Sequence, residues 1–203
     1  MRQLMVSLAV CAAVCSATAA FAGSAAAAAQ GSCDTTKAFA QFGDSADYAL
    51  FVNGGLEDGS GGFKAIGAPR IVAESEPFAL HGQTDGFALE LGSGDSAAFH
   101  AGCMSRVYPS VRFVARSVGA PTGSLRVEVE YKEAMGVRRR VTVGTLEAAD
   151  YNGWAPTPVL TFLDPTQAFR DQAHGSFTLI LTPAGAGSLW QVDDLYVDPF
   201  RGR

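Results

Sequence analysis

The sequence predicts an all-β sandwich of antiparallel strands, and three observations carry that prediction. Apolar residues recur with a period of two in segment after segment. Turn formers, among them 23 glycines and 9 prolines, separate those segments at short intervals. Helix signals are confined to one short stretch, which leaves a parallel sheet without its crossover helices.

The clearest strand is Leu125 to Tyr131, where Leu125, Val127, Val129 and Tyr131 alternate with Arg126, Glu128 and Glu130. Successive strand residues point to opposite faces, so this segment has one dry and one wet side. Residues 137–143 are predicted to return against it in a hairpin turning near Met135-Gly136. In that hairpin Arg139 is expected opposite Glu128 or Glu130. The triplets Phe87/Leu89/Leu91, Val111/Phe113/Ala115 and Phe177/Leu179/Leu181 alternate in the same way, and 159–163 and 190–197 complete the strand set. The helical stretch is 164–173, with Asp164 as its cap, Pro165 in its first turn and Gly175 as its stop.

The first 29 residues read as an export signal. Arg2 precedes an apolar run from Leu4 to Val14, too short to span a bilayer, and small residues with an Ala20-Phe21-Ala22 pattern follow. A single domain over 30–203 is expected after it, secreted and without membrane insertion. Loss of 1–29 removes Arg2 and no acid, shifting the formal charge from −5 to −6, which argues against nucleic acid as a partner. Cys11 and Cys15 leave with the signal, so Cys33 and Cys103 remain as a pair for an oxidising compartment. A bridge between them would close a loop of about 70 residues, worth roughly 4 kcal/mol by chain entropy.

Two stretches carry a resemblance. Asn53-Gly-Gly-Leu-Glu-Asp-Gly59 with Gly61-Gly62-Phe63, and Trp190-Gln-Val-Asp-Asp-Leu-Tyr-Val197, resemble the opening and closing motifs of galactose-binding-like, carbohydrate-binding-module jelly rolls. Leu56 and Phe63 stand where those motifs carry Phe and Trp. Gly43-Asp44 to Leu50, Glu76 to Gly82, Cys103, Arg112 to Arg116 and Val197 to Phe200 further resemble a group of uncharacterised secreted bacterial proteins. The resemblance implies a jelly-roll β-sandwich, a carbohydrate-binding role for which a glycan outside the cell is the natural partner, and a structural Ca2+. Its motif positions for that ion are Glu57, Asp193 and Asp194. Strand alternation puts Asp193 and Asp194 on opposite faces, so one is expected to meet Glu57 and the other solvent or a donor.

For sugar stacking, Trp154 and Tyr151 form the candidate platform, in the turn-rich stretch 150–154. The competing use of the same residues is as a cover over the end of the core, in a domain that serves structure or binds a surface protein. A hydrolase is the third reading. The three histidines, His81, His100 and His174, have no metal-type spacing, and no nucleophile elbow is present. Acid pairs such as Glu74/Glu76 or Asp193/Asp194 are the glycosidase-type candidates. The sequence therefore points to a non-enzyme.

Overall fold

The computed structural model describes residues 34–103, 110–132, 136–161 and 177–199, all within one compact unit, Cys33–Arg203. The signal segment, Cys33 and the predicted helix at 164–173 lie outside the described residues.

The strands run in chain order as β1 (Ala49–Leu50), β2 (Phe63–Ile66), β3 (Arg70–Val72), β4 (Ala88–Gly92), β5 (Ser96–His100), β6 (Ser110–Ser117), β7 (Ser124–Lys132), β8 (Arg138–Glu147), β9 (Ala155–Pro156), β10 (Leu160–Thr161), β11 (Phe177–Ala184) and β12 (Leu189–Asp198). They make two antiparallel sheets. One has the order β10-β6-β12-β4-β3, with β1 added to β12 and β9 to β6. The other has the order β2-β5-β11-β7-β8. Consecutive strands from β4 to β7 alternate between the sheets, which wraps the chain around a shared core.

The period-two pattern builds that core. Leu89 and Leu91 of β4, Val111, Phe113 and Ala115 of β6, Trp190 and Val192 of β12 point inward from one sheet. Leu125, Val127, Val129 and Tyr131 of β7 and Phe177, Leu179 and Leu181 of β11 meet them from the other. The hairpin β7–β8 forms as predicted, with a bulge between Val127 and Glu128. Its charge pairing is one residue off the expectation. Arg139 sits opposite Tyr131, while Arg138 and Arg140 hold Glu130, at 2.9 and 3.2 Å. Strand parity decides this, since Glu130 shares its face with the even-numbered arginines.

A second, smaller apolar cluster lies on the outer face of the β6–β12 sheet. Residues 36–48 form a strap tied to itself by the Thr36–Tyr48 bridge, and Phe39 and Tyr48 pack there against Val114 and Tyr196. Arg112, pointing outward from β6, fastens the strap. Its Nη1 donates to Asp44 Oδ2 at 2.7 Å, its Nε to the Thr157 carbonyl at 2.8 Å, and its guanidinium lies 4.6 Å over the Phe39 ring. Burial opposes ionisation of Asp44, but hydrogen bonds from Tyr48, Ala46 and Arg112 outweigh it and hold the carboxyl below its usual range.

Candidate functional site

The opening motif is built for close approach. Gly54 accepts the Leu195 amide at 3.0 Å, and a Cβ on Gly54 would stand 2.6 Å from the Leu195 carbonyl oxygen. A Cβ on Gly55 would fall within the His81 ring. Asn53 closes the loop, accepting the Asp58 amide at 3.0 Å and donating to the carbonyls of Gly59 and Gly61. The two glycines thus let the opening loop lie flat against the closing strand and against His81 at once.

On the closing strand the ladder with β6 slips by one residue between Asp193 and Tyr196. Asp194 occupies the bulge in the left-handed region, φ 51°. Aspartate tolerates that region better than most side chains. The bulge buries both Asp193 and Asp194; Asp193 meets donors, as expected for one of the pair, while Asp194 pairs with His81. Asp193 takes backbone amides, from Glu76 at 3.2 Å and Asp194 at 2.8 Å. Asp194 Oδ1 lies 2.9 Å from His81 Nδ1, and Asp85 Oδ2 lies 3.7 Å from the same nitrogen. One ligand atom from each of His81, Asp85 and Asp194 fits within a 4.8 Å span. Glu57 stands beside Asp85 and accepts the amides of Gly86 at 2.9 Å and Phe87 at 3.0 Å.

The electrostatics are one-sided. Burial, with the charges of Asp193, Asp85 and Glu76 added, pushes Asp194 up to about 9. Burial and Asp85 push Asp193 up to about 8. Burial and the neighbouring Glu57 raise Asp85 to about 6. Burial also opposes ionisation of Glu57, yet its two amide donors win and its carboxyl stays below the usual range. Both oxygens of Asp85 and Oδ2 of Asp194 are buried without a hydrogen-bond partner. Ser75 and Glu57 lie beside Asp85 and Glu76 beside Asp194, yet carboxylate oxygens that converge with so few donors suit a hard divalent cation. The converging residues fit such an ion: Asp85 and Asp194 would supply oxygens and His81 a nitrogen, with Glu57 held beside them by the Gly86 and Phe87 amides. Sequence reasoning named Glu57 and Asp194 from the motifs. It missed Asp85 and His81, whose only signal was the Gly55 that makes room for the imidazole.

The candidate stacking pair separates. Tyr151 turns into the main core, its ring 5.6 Å from Trp190, and has no free face. Trp154 packs half-buried on the outer cluster beneath the Arg116 guanidinium, 4.9 Å above its ring. The acids proposed for hydrolysis also have structural uses. Glu74 pairs with Arg116, and Glu76 accepts the amides of Phe78 and Leu80.

With this arrangement in view, relatives are found by structure alone. No family model and no curated protein matches the chain. Among solved structures, the tandem CBM22-1–CBM22-2 domain of Paenibacillus barcinonensis Xyn10C aligns with a TM-score of 0.52 at 13% identity. The match covers 77% of this chain and 46% of that one. The chain has the jelly-roll fold of carbohydrate-binding modules. The galactotriose complex of TmCBM61 aligns at 15% identity and TM-score 0.49, over 75% of this chain and 99% of that one. The same jelly roll is found in the enzymatically active domain of bacteriophage CBA120 tailspike protein 4. There the TM-score is 0.51 and the identity 10%, over 73% of this chain and 21% of that one. In this jelly roll the opening loop and closing strand meet on the acid cluster.

That meeting makes Gly55 a sensitive position. Gly55→Ala should displace His81 and cost about 1–3 kcal/mol, the usual penalty for an extra methyl in a packed site. Adding His81→Ala to Gly55→Ala should recover part of that loss in a thermal melt, because the clash partner is gone.

Proposed function

We propose that this protein is a secreted, non-catalytic binding module whose ligand is a glycan outside the cell, braced by a divalent cation at the seam of its opening loop and closing strand. The observation that carries the reading is the jelly roll shared with the tandem carbohydrate-binding modules. Support also comes from the acids, which hold backbone and gather at the seam instead of lining a cleft as a hydrolytic pair. Among the described residues no helix is long and apolar enough to cross a membrane. The Cys33–Cys103 bridge belongs to the same reading. Cys103 packs half-buried on the core, and peptide mapping without reductant should recover the 33–103 pair.

The decisive experiment is a glycan array probed with the mature protein, followed by calorimetry with the glycans that bind. Binding to at least one glycan class is expected, and an empty array sinks the reading. One observation favours an alternative, a surface-protein partner. The outer face of the β7–β8 hairpin presents Arg126, Glu128, Glu130, Arg138 and Arg140, a charged strip. An empty array together with a partner captured through this strip would decide for it.

Calcium is the first candidate for the cation, since Asp85 and Asp194, with Glu57 beside them, offer the hard oxygens it takes, about six to eight in a full set. His81 makes zinc its competitor, because imidazole suits that metal. The melting midpoint should fall in EDTA and rise again with the preferred metal. At about 100 times its dissociation constant the ion should restore about 2.7 kcal/mol. An unchanged midpoint in EDTA removes the metal from the reading.

A further inference from the structure

The segment Glu76 to Gly82 builds something beyond the acid cluster. Glu76 is buried and accepts the amides of Phe78 and, at 2.8 Å, Leu80. Those two bonds hold Ala79 between them in the left-handed region, φ 52°, where alanine does not rest unaided. Phe78 is pinned by Phe42, ring centroids 4.9 Å apart in a T-shaped contact, and its carbonyl accepts Gln41 Nε2 at 3.2 Å. His81 is fixed from behind by Asp194. The result is a rigid wall, Ala79-Leu80-His81, facing the strap and β1 across a hollow of about 550 Å³. That volume falls in the range of small-molecule sites, about 300–1,000 Å³.

The lining is mixed. Leu50 and Leu80 give an apolar side, and Lys37 and Gln41 stand on the strap. Gln41 spends its amide nitrogen on Phe78, which leaves Oε1 as an acceptor. Tyr48 and Tyr196 both border the hollow and both are nearly or fully buried. The Tyr48 hydroxyl donates to Asp44 at 2.7 Å, whereas the Tyr196 hydroxyl makes no hydrogen bond to any described residue. Tyr196 borders the hollow, and a hydroxyl without a protein partner is left to water or to a polar ligand. Anions are disfavoured, since Lys37 is already paired with Asp47 and the acid cluster lies behind His81. Apolar ligands would strand the Tyr196 hydroxyl. An apolar patch flanked by separate donors and acceptors matches a neutral polyhydroxylated ring.

We propose that this hollow, between the strap, β1 and the Ala79–His81 wall, is the sugar subsite of the domain, taking one or two neutral sugar rings. The proposal rests on the glycan-binding reading above and assigns its location. Leu50 and Gln41 are exposed, so both variants should fold: Leu50→Arg, which plugs the mouth, with an unchanged melting midpoint, and Gln41→Ala, which removes the acceptor and the exposed bond to the Phe78 carbonyl, with a midpoint lowered by no more than a few degrees. The test is calorimetry of wild type and both variants with the neutral oligosaccharide that ranks highest on the array, and Trp154→Ala, on the same outer cluster but outside the lining of the hollow, serves as the control. At least tenfold weaker binding in Leu50→Arg and Gln41→Ala, with Trp154→Ala binding as wild type does, bears the subsite out. Equal affinity in all four proteins overturns it while the glycan reading stands. A wild type that binds no glycan removes both.

Discussion

Replacing Arg112 with alanine should destabilise the domain by about 3–5 kcal/mol, the cost of leaving a buried charge without its partner. Arg112 and Asp44 are both largely buried, and the same guanidinium serves Thr157 and the face of Phe39. In a domain of this size such a loss lowers the melting midpoint on the order of 10 °C. Arg112→Lys should recover little of it, because a point charge cannot reach Asp44 and the Thr157 carbonyl at once. The strap should also open in the variant, so amide exchange at Thr36 and Tyr48 should accelerate more than exchange in β7 and β11. A melting midpoint within 2–3 °C of wild type, that is less than about 1 kcal/mol, would remove Arg112 as the fastening of the strap.

With metal removed, stability should fall as pH rises from about 5 to about 9, above the range in which Asp44, Glu57 and Glu130, held low in the fold, work the other way. The sign follows from linkage. Asp85, Asp193 and Asp194 are raised to about 6, 8 and 9 in the fold, against about 3.9 in the unfolded chain. Between those values the native state binds more protons than the unfolded state, so raising pH favours unfolding. Stability is therefore full below pH 4 as far as these groups go and is lost as each ionises inside the fold. At pH 9 the Asp194→Asn variant should be more stable than wild type by about 1–3 kcal/mol, because it removes a buried charge with an unsatisfied oxygen. Asparagine also rests readily in the left-handed region that position 194 demands. The same variant should lose its response to added calcium or zinc. A flat stability profile over this range in EDTA, measured by urea unfolding at stepped pH, would contradict the account.

Much of the sandwich was legible because β7 and β11 obey the period-two rule along their length. Leu125 to Tyr131 and Phe177 to Leu181 read directly as inward and outward rows, and the structure keeps them so. The opening and closing motifs were legible as motifs, and they located the seam. What alternation could not deliver was the conformation of Asp194, since a bulge depends on pairing with β6 and leaves the local sequence pattern unmarked. Asp85 and His81 were hidden for a related reason. They reach Asp194 from 109 and 113 residues away in sequence, and no short-range spacing records that contact. Tyr151 and Trp154 illustrate the opposite case. Two aromatics in a turn look alike in sequence, and only packing against Trp190 and Arg116 assigns them to the interior and to a covered surface.

The bulge in β12 also changes which positions of the closing strand face inward. Trp190 and Val192 are even-numbered core residues, while Leu195 and Val197 are odd-numbered ones, so the reading frame of the strand jumps between them. Deleting one residue at position 194 would restore an unbroken alternation, with Leu195 and Val197 still pointing into the sandwich and Tyr196 onto the outer cluster. The acid seam is therefore separable from the fold by length rather than by chemistry. A chain shorter by one residue at this point would keep the same inward rows of the sandwich and lose the proposed cation site.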